Sequence, residues 1–364
     1  MGQLRIPGPT PCPPEVLQAM ARPMIDHRGT EFIDILNRTT QKLKQAFKTQ
    51  SDLFILTGSG TGGLEAAVVN TLSPGDRVLA VSIGVFGDRF ATIAKTFGAD
   101  VVPLKFEWGK AADPDAIAKA IKADAKIKAV LVTHNETSTG VTNDIGAISH
   151  VVKGAGKLLL VDSISGIGSI PCPVDEWHID VCVSASQKGW MVPPALAMVS
   201  VSPEAWKAYA TARMPRFYWD FMQAKKYLER GQTPWTPAIS VFFALDVALD
   251  MMFKEGLDNV HARHARVGKA ARAGARSLGL PLFAEESHAS NTVTAVAGSD
   301  GVNIAELRRI LRVENGIVLG GGQQTLDGKI FRIGHLGLVT EADIKEVYSA
   351  IKAALPRARF AALK

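Results

Sequence analysis

Short apolar, β-branched runs alternate with segments of helical spacing through much of the chain. Continuous apolar strands joined by helices predict an α/β fold with a mostly parallel sheet, because right-handed crossovers place helices on both faces. In such sheets, binding sites lie beyond the carboxyl ends of the strands. The six runs are DLFILT at 52, RVLAVS at 77, IKAVLVTH at 127, LLLVDSIS at 158, VCVSAS at 181 and LAMVSVS at 196.

The length of the chain, 364 residues, predicts two domains rather than one core. Five prolines by residue 14 predict an extended N-terminal arm over residues 1–20. A large domain is expected over 21–255. Near residue 255 the pattern changes to a long basic helix followed by short strands, which predicts a smaller C-terminal α+β domain over 256–364.

Charge and cysteine content restrict the classes of partner. The 41 basic and 35 acidic side chains are dispersed, so the net charge of +6 predicts no dedicated nucleic-acid surface. No apolar run approaches the roughly 18 residues of a membrane span, and the N-terminus has no targeting pattern, so we expect a cytoplasmic location without membrane contact. Cys12, Cys172 and Cys182 fit neither a disulfide framework nor a metal spacing, so ordinary apolar roles and no metal site are expected.

Two charged residues follow neighbouring apolar runs. Asp162 ends one run, and Lys188 follows the next run 26 residues later. If both runs are parallel strands of one sheet, the two side chains lie at the same edge. Structural interpretations stay open at this point: a simple salt bridge, or for Asp162 a helix cap.

A segment rich in glycine and hydroxyl groups follows the first run directly and begins a helix. TGSGTGG at 57 aims backbone N–H groups and the positive end of the helix at one spot, which suits a phosphate. Gly58, Gly60 and Gly63 also match GxGxxG, the pattern of dinucleotide-binding folds. The next run ends without the acidic residue that would bind a ribose, which makes a nicotinamide cofactor the weaker interpretation.

A phosphate site, a carboxylate and a lysine at one sheet edge fit pyridoxal 5′-phosphate (PLP). The amine of Lys188 would hold the aldehyde as a Schiff base and then carry protons during the reaction. The carboxylate of Asp162 would keep the pyridine nitrogen protonated, so that the ring can accept electrons. We therefore expect these two residues to be catalytic.

Other residues near the strand ends suit the ring of this cofactor. Phe86 and Ile164 offer flat or apolar surfaces for its faces, although each also fits an ordinary core position. Thr137 and Gln187 offer a hydroxyl and an amide for its phenolic oxygen. Glu136 lies in the same loop as Thr137, and structural and catalytic roles are both open for it.

Several ordered motifs resemble those of one family. They include TGSGTGGLEAAVVNTLSPGD, SIGVFGDRF, THNETSTGV, VDSISGIGSIP, SASQKGWMVPPALAMVS and KIFRIGHLG. At this spacing they resemble the class V aminotransferases of the fold type I PLP-dependent group, most of all the alanine–glyoxylate and serine–pyruvate branch. The resemblance covers nearly the whole chain. It implies ping-pong transfer of an amino group from a small L-amino acid, alanine or serine, to a 2-oxo acid, glyoxylate or pyruvate.

The resemblance also implies roles for individual residues. Lys188 resembles the Schiff-base lysine and Asp162 the partner of the pyridinium. Phe86 stands where close relatives often have tryptophan as the stacking residue. With the residues above, the cofactor contacts within one chain are expected from Ser59, Gly60, Thr61, Phe86, Thr137, Asp162, Ile164, Gln187 and Lys188.

Substrate and subunit contacts come from the resemblance alone. Arg332 resembles the arginine that grips the substrate α-carboxylate, for which its planar fork is suited, and a surface arginine is the structural alternative. Gly8 is expected to touch the substrate through its backbone. Active sites of this fold are typically shared across a homodimer, and Thr236 resembles a phosphate contact donated by the neighbouring subunit.

Other functions fit parts of the pattern. Aspartate or an aminophosphonate as donor stays open, as does a PLP-dependent lyase of the same fold. A cysteine desulfurase needs a nucleophilic cysteine in the later half of the chain, and no cysteine follows Cys182. A nicotinamide oxidoreductase depends on the glycine pattern alone. A non-enzymatic phosphate-binding module leaves Lys188, Asp162 and Arg332 unexplained together.

Overall fold

The computed structural model of the protein describes residues 2–298 and 301–358. The strands are β1 (Gln3–Arg5), β2 (Asp52–Thr57), β3 (Arg77–Ser82), β4 (Asp100–Lys105), β5 (Ile127–Thr133), β6 (Asn135–Glu136), β7 (Val141–Thr142), β8 (Leu158–Asp162), β9 (Val181–Ala185), β10 (Leu196–Val201), β11 (Val293–Ala297), β12 (Ile317–Gly321) and β13 (Ile330–Gly334). The helices are α1 (Pro14–Met20), α2 (Thr30–Phe47), α3 (Gly60–Thr71), α4 (Val85–Thr96), α5 (Pro114–Ala123), α6 (Ile145–Gly154), α7 (Pro203–Thr211), α8 (Phe221–Leu228), α9 (Ile239–Glu255), α10 (Leu257–Ser277), α11 (Ile304–Glu314) and α12 (Glu341–Ala354). Short 3₁₀ turns lie at Glu286–His288, Gln324–Leu326 and Leu355–Arg357. No helix in these residues combines the length and the apolar character that crossing a membrane requires.

A seven-stranded sheet forms the centre of the large domain, in the order β2-β10-β9-β8-β5-β3-β4. β10 runs against its two neighbours, and the remaining neighbouring pairs are parallel. Successive strand residues point to opposite faces, so Val130 of β5 joins one buried apolar cluster and Leu131 joins the other. Both faces of the sheet are therefore covered, and the predicted α/β fold with a mostly parallel sheet is confirmed.

The edge of this sheet contains a strand that the sequence pattern does not predict. The six predicted runs correspond to β2, β3, β5, β8, β9 and β10. The seventh strand, β4, is partly exposed along its length and contains Pro103. Proline removes a donor from the hydrogen-bond ladder and is tolerated at an edge, so β4 has neither the apolar run nor the composition of a central strand.

A second sheet, in the order β1-β12-β13-β11, forms the centre of the C-terminal part. β11 and β12 both pair antiparallel with β13, and helices α10, α11 and α12 contribute to a separate apolar core beside them. Gly256, with φ of 88°, lies between α9 and α10 in the left-handed region that favours glycine. The division at residue 255 stays a prediction. Residues 299–300 and 359–364 of the predicted small domain, and residue 1 of the arm, lie outside the described residues.

The N-terminal arm is extended only over its first part, and the expectation of an extended arm was wrong for residues 14–20. Helix α1 begins at Pro14, because a proline in the first helical turn loses no intrahelical hydrogen bond. β1 pairs in parallel with β12, so the start of the chain is an edge strand of the second sheet. The segment 6–10 then crosses from that sheet to the loop that contains Lys188.

Candidate active site

The carboxyl ends of β8 and β9 bring Asp162 and Lys188 to one edge of the large sheet. Asp162 is the last residue of β8 and only 3% exposed. Both residues line a cavity of about 180 Å³. In the described part of the chain the two side chains form no ion pair: Asp162 Oδ1 accepts from the Ile164 N–H at 3.0 Å, and Lys188 Nζ donates to the Pro7 carbonyl at 2.6 Å. The simple salt bridge is therefore not their role.

The same cavity is lined by every residue that was predicted to contact the cofactor from within one chain. The lining residues among those predicted are Ser59, Gly60, Thr61, Phe86, Thr137, Asp162, Ile164, Gln187 and Lys188. The lining residues that were not predicted are Leu64, Arg89, Asn135 and Ser165. The site thus has one wall from the start of α3, one from the start of α4 and one from the ends of the central strands.

The start of α3 has the features of a phosphate site. Ser59 is the N-cap residue, yet its hydroxyl makes no capping hydrogen bond to the helix. The first-turn N–H groups of a helix have no intrahelical acceptor and carry partial positive charge. A Cβ added to Gly60 would lie 2.5 Å from Ile164 Cδ1, so glycine is required for the helix to start this close to the strand ends. These groups can all bind one phosphate.

Gln187 supplies an independent sign that the cavity is built for a polar group. Its side-chain Oε1 is buried and has no hydrogen-bond partner among the described residues. A buried polar atom without a partner costs roughly 1–3 kcal/mol. Eight other buried side-chain atoms of the described residues also have no partner, but Gln187 Oε1 is the one that belongs to a residue lining this cavity. The hydroxyl-bearing residue Thr137 lines the same cavity. The residues present therefore fit the phosphate, the ring and the phenolic oxygen of PLP.

Burial shifts the protonation of both central residues. It raises the pKa of Asp162 to about 7, with the charge of Glu136 adding to the rise and the Ile164 N–H opposing it. Burial lowers the pKa of Lys188 to about 8, and Asp162 opposes this fall while Arg332 adds to it. An amine with a pKa near 8 is partly neutral at physiological pH, which suits both nucleophilic attack and proton transfer.

Arg332 is a buried residue of β13, 7% exposed, so it is not a surface arginine. Its Nε donates to the Gly321 carbonyl at 2.7 Å, and Nη1 donates to the Thr137 carbonyl at 2.9 Å and to Gln323 Oε1 at 3.2 Å. Burial lowers its pKa to about 10, and the charge of Glu136 opposes this fall. Three of the five N–H groups of the guanidinium are thus occupied, which leaves the two on Nη2.

A family model for class-V aminotransferases matches residues 4–345. The chain belongs to the class-V aminotransferases. This aminotransferase is 44% identical to the "Soluble hydrogenase 42 kDa subunit" of Anabaena cylindrica, over 97% of the chain and 92% of that relative. It is 40% identical to a serine–glyoxylate aminotransferase of Methylorubrum extorquens, over 94% of the chain and 88% of that relative. The solved structure of an alanine–glyoxylate aminotransferase from Nostoc sp. superposes with a TM-score of 0.94 at 29% identity, covering 97% of this chain and 95% of that one.

Family membership decides between the open functions. The enzyme transfers an amino group from an amino acid to a 2-oxo acid, as the sequence predicts, and enzymes of this family and fold are PLP-dependent. The nicotinamide oxidoreductase and the non-enzymatic phosphate-binding module are wrong for this chain.

Gly8 of the aminotransferase lies against the lysine rather than in the cavity lining. A Cβ added to Gly8 would lie 2.6 Å from Lys188 Nζ, and its φ of +126° disfavours any side chain. The hydroxyl of Thr10 donates to the Lys188 carbonyl at 2.9 Å, and the Thr10 N–H donates to the Gln187 carbonyl at 3.0 Å. The arm therefore holds the backbone that carries both residues.

Two cavity residues were missed although the sequence contained a signal for them. Arg89 lies three residues after Phe86 on α4, and its guanidinium carbon lies 4.9 Å from the centroid of that ring. Asn135 precedes Glu136 in the loop already singled out, and its Nδ2 donates to Ser165 Oγ at 2.8 Å. We find no sequence signal for Ser165.

Thr236 does not reach this cavity within one chain. It is exposed and lies in the segment before α9. Its expected contact is with the cofactor of a neighbouring subunit, so its role stays a prediction.

Proposed function

We propose that this class-V aminotransferase binds PLP covalently through Lys188 and transfers the amino group of alanine or serine to glyoxylate or pyruvate. The observation that carries the proposal is the single cavity that joins Lys188, Asp162, the open start of α3 and the unpartnered oxygen of Gln187. The serine–glyoxylate and alanine–glyoxylate activities named for two relatives support the choice of substrates.

The residues of the chain divide the work of cofactor binding. When bound, PLP supplies an aldehyde for covalent attachment and a ring that accepts electrons from the substrate carbon. Ser59, Gly60 and Thr61 would bind the phosphate, and Asp162 would bind the ring nitrogen. Asp162 would be ionised beside a protonated ring nitrogen, because a positive partner lowers a carboxyl pKa. Thr137 and Gln187 bind the phenolic oxygen, and Phe86 and Ile164 contact the ring faces.

Lys188 and Arg332 act on the substrate. With PLP and an amino acid bound, Lys188 Nζ would act as the base that accepts the proton of the substrate α-carbon and as the acid that returns a proton during amino transfer. The free Nη2 group of Arg332 binds the α-carboxylate, with the guanidinium oriented by the Thr137 and Gly321 carbonyls. Gly8 leaves space beside Lys188 for this proton transfer.

The proposal includes the assembly and the location of the enzyme. We expect a homodimer in which Thr236 of each subunit contacts the phosphate bound by the other, and a cytoplasmic location. Light scattering combined with size-exclusion chromatography tests the dimer. Mixing Lys188→Ala and Thr236→Ala subunits tests the shared sites. If each site takes Lys188 from one subunit and Thr236 from the other, a mixed dimer contains one site with both native residues, and activity is expected to rise on mixing.

Arg89 supports a second donor, aspartate. It is a cation that lines the cavity, whereas Arg332 reaches the cavity residue Thr137 through its carbonyl without lining the cavity itself. If Arg332 binds the α-carboxylate, Arg89 would be available for the second carboxylate of such a donor. A panel of amino acids in the half-reaction decides between the donors. If aspartate is the donor, Arg89→Met is expected to slow aspartate much more than alanine; an equal loss with both would reflect its contact with the Phe86 ring instead.

Borohydride reduction followed by peptide mass spectrometry tests the proposed function. The purified protein is expected to bind PLP with visible absorbance, and reduction is expected to add the cofactor mass to the peptide that contains Lys188. Alanine or serine is then expected to convert the bound aldehyde to the amine form, and glyoxylate or pyruvate to reverse it. A lyase need not complete this cycle. A colourless protein, or attachment at another lysine, contradicts the proposal.

A further inference from the structure

Glu136 is a fully buried carboxylate for which the proposed chemistry has no use. It is 0% exposed and is the last residue of β6. Its Oε2 accepts from the N–H groups of Phe86 at 3.0 Å and Gly87 at 3.2 Å. Its Oε1 accepts from the N–H of Ser138 at 3.1 Å and from its hydroxyl at 2.5 Å. A buried charge is tolerated only when hydrogen bonds of this kind compensate it.

These contacts cap α4 from a distant part of the chain. The N-cap residue, Gly84, has no side chain to cap the helix, and the Val85 N–H donates instead to Ser138 Oγ at 3.0 Å. With the two bonds to Glu136, three consecutive N–H groups of the first turn are bound by one loop. A Cβ added to Gly84 would lie 2.6 Å from Glu136 Cδ, so glycine is what allows the carboxylate to approach. A negative charge at the positive end of a helix is also favourable.

The first turn of α4 carries Phe86, which lines the cofactor cavity. Glu136 accepts a hydrogen bond from the backbone N–H of Phe86. It therefore fixes the backbone position from which the Phe86 side chain projects. Arg89, one turn later, lies over the same ring. The position of the ring is therefore set from its backbone by Glu136 and at its face by Arg89. Ser138 Oγ accepts from the N–H of the preceding residue, Val85.

We propose that Glu136 is a positioning residue for the cofactor: by fixing the first turn of α4, it holds the Phe86 ring where that ring stacks on PLP. This inference rests on the proposed function, since it needs PLP in the cavity. It predicts that removing the Glu136 side chain weakens cofactor binding mainly through Phe86. The charge of Glu136 also raises the pKa of Asp162, and Glu136→Gln removes that charge while keeping the oxygen that holds α4.

A double-mutant cycle on cofactor affinity tests this coupling. The dissociation constant of PLP is measured by titrating the apo forms of the wild type, Glu136→Ala, Phe86→Leu and the double variant. Loss of an aromatic stacking contact corresponds to roughly three- to tenfold weaker binding, and we expect a loss of this size in each single variant. The double variant is expected to bind PLP no more weakly than Phe86→Leu alone. The visible circular dichroism of bound PLP is expected to change in the same way in both single variants.

Two conservative variants separate charge from placement. Glu136→Gln keeps an oxygen for the Phe86 and Gly87 N–H groups and is expected to retain affinity within about twofold. Glu136→Asp keeps the charge, but its side chain is one methylene shorter and does not reach the Phe86 and Gly87 N–H groups. It is therefore expected to behave like Glu136→Ala. These variants also preserve the test if Glu136→Ala does not fold.

Asp180 offers a matched control. It is a buried carboxylate that accepts from the Leu159 N–H at 2.7 Å, and it does not line the cavity. Asp180→Asn is expected to lower the melting temperature and to leave PLP affinity unchanged. A multiplicative loss in the double variant, or unchanged affinity in Glu136→Ala and Glu136→Asp, overturns the inference. If wild-type protein binds PLP and transfers amino groups while either result holds, the inference fails alone; if wild-type protein takes up no PLP, the proposed function fails with it.

Discussion

Replacing Arg332 with lysine keeps a positive charge near the substrate but removes the N–H groups that we expect to bind its carboxylate. The Gly321 carbonyl, the Thr137 carbonyl and Gln323 occupy three N–H groups of Arg332. The two groups on Nη2 lie on one nitrogen of a planar fork, a geometry that the ammonium group of lysine does not reproduce. Arg332→Lys therefore tests orientation rather than charge.

The size of the effect follows from the hydrogen bonds that are lost. A hydrogen bond to a charged group contributes roughly 1.5–3 kcal/mol, and each 1.4 kcal/mol is tenfold in a rate or binding constant. Losing one such bond to the carboxylate is expected to lower kcat/KM by about 10- to 150-fold. The loss is expected in both half-reactions, because the amino acid and the 2-oxo acid both carry the carboxylate.

Stopped-flow spectroscopy of the first half-reaction is the assay, with alanine compared with alaninamide, which lacks the carboxylate. Arg332→Lys is expected to slow alanine and to leave alaninamide within about threefold of the wild type. Arg308→Lys is the matched control, since Arg308 donates to the Leu319 carbonyl, whereas Arg332 donates to the carbonyl of the cavity residue Thr137. An equal loss with both substrates, or no loss with alanine, refutes a carboxylate-binding role for Arg332.

Three further changes test the lysine, the carboxylate and the arm. Lys188→Ala is expected to abolish turnover while PLP still binds non-covalently, which visible circular dichroism detects; retained activity contradicts the mechanism. Burial raises the pKa of Asp162 from 3.8 to about 7, so the folded apo protein holds this proton more tightly than the unfolded chain and loses up to about 4 kcal/mol of stability as the pH rises from 4 to 7. The free energy of unfolding of apo Asp162→Asn, measured with urea, is expected to lack this loss. If the difference in that free energy between wild type and variant does not vary with pH, the pKa of Asp162 is not raised. Gly8→Ala is expected to lower the borohydride-reducible fraction of PLP, because the added Cβ meets three atoms of Lys188 at 2.6 to 2.8 Å; full covalent attachment shows that the arm can move aside.

The central strands were predictable because a strand buried on both faces has a continuous apolar sequence. The edge strand β4 has one exposed side and a proline, so its composition resembles that of a loop. The proline-rich arm gave an error of the same kind, because its helix and its paired strand were not predicted. Composition alone shows neither that Pro14 occupies the first turn of a helix nor that β1 finds an open edge at β12.

Local sequence also determined which chemical groups lie at the active edge. Asp162 and Lys188 end or follow parallel strands, and the direction of parallel strands places both at the same edge. The glycine and hydroxyl groups at the start of α3 form a phosphate site by the geometry of a helix terminus, which needs no distant partner. These groups, in this order, were enough to predict PLP, whereas amino transfer was predicted from the resemblance of the motifs to the class V aminotransferases.

The tertiary structure decided how those groups are held. Lys188 Nζ meets the carbonyl of Pro7 across 181 residues of sequence, and Arg332 meets the carbonyl of Thr137 across 195. Glu136 binds the start of α4 across 50 residues, and it reaches that helix because Gly84 has no side chain. Such contacts depend on how separate elements pack, and they leave no periodic pattern along the chain. The amino-acid sequence therefore determined the chemistry of the site, and the packing of distant segments determined its geometry.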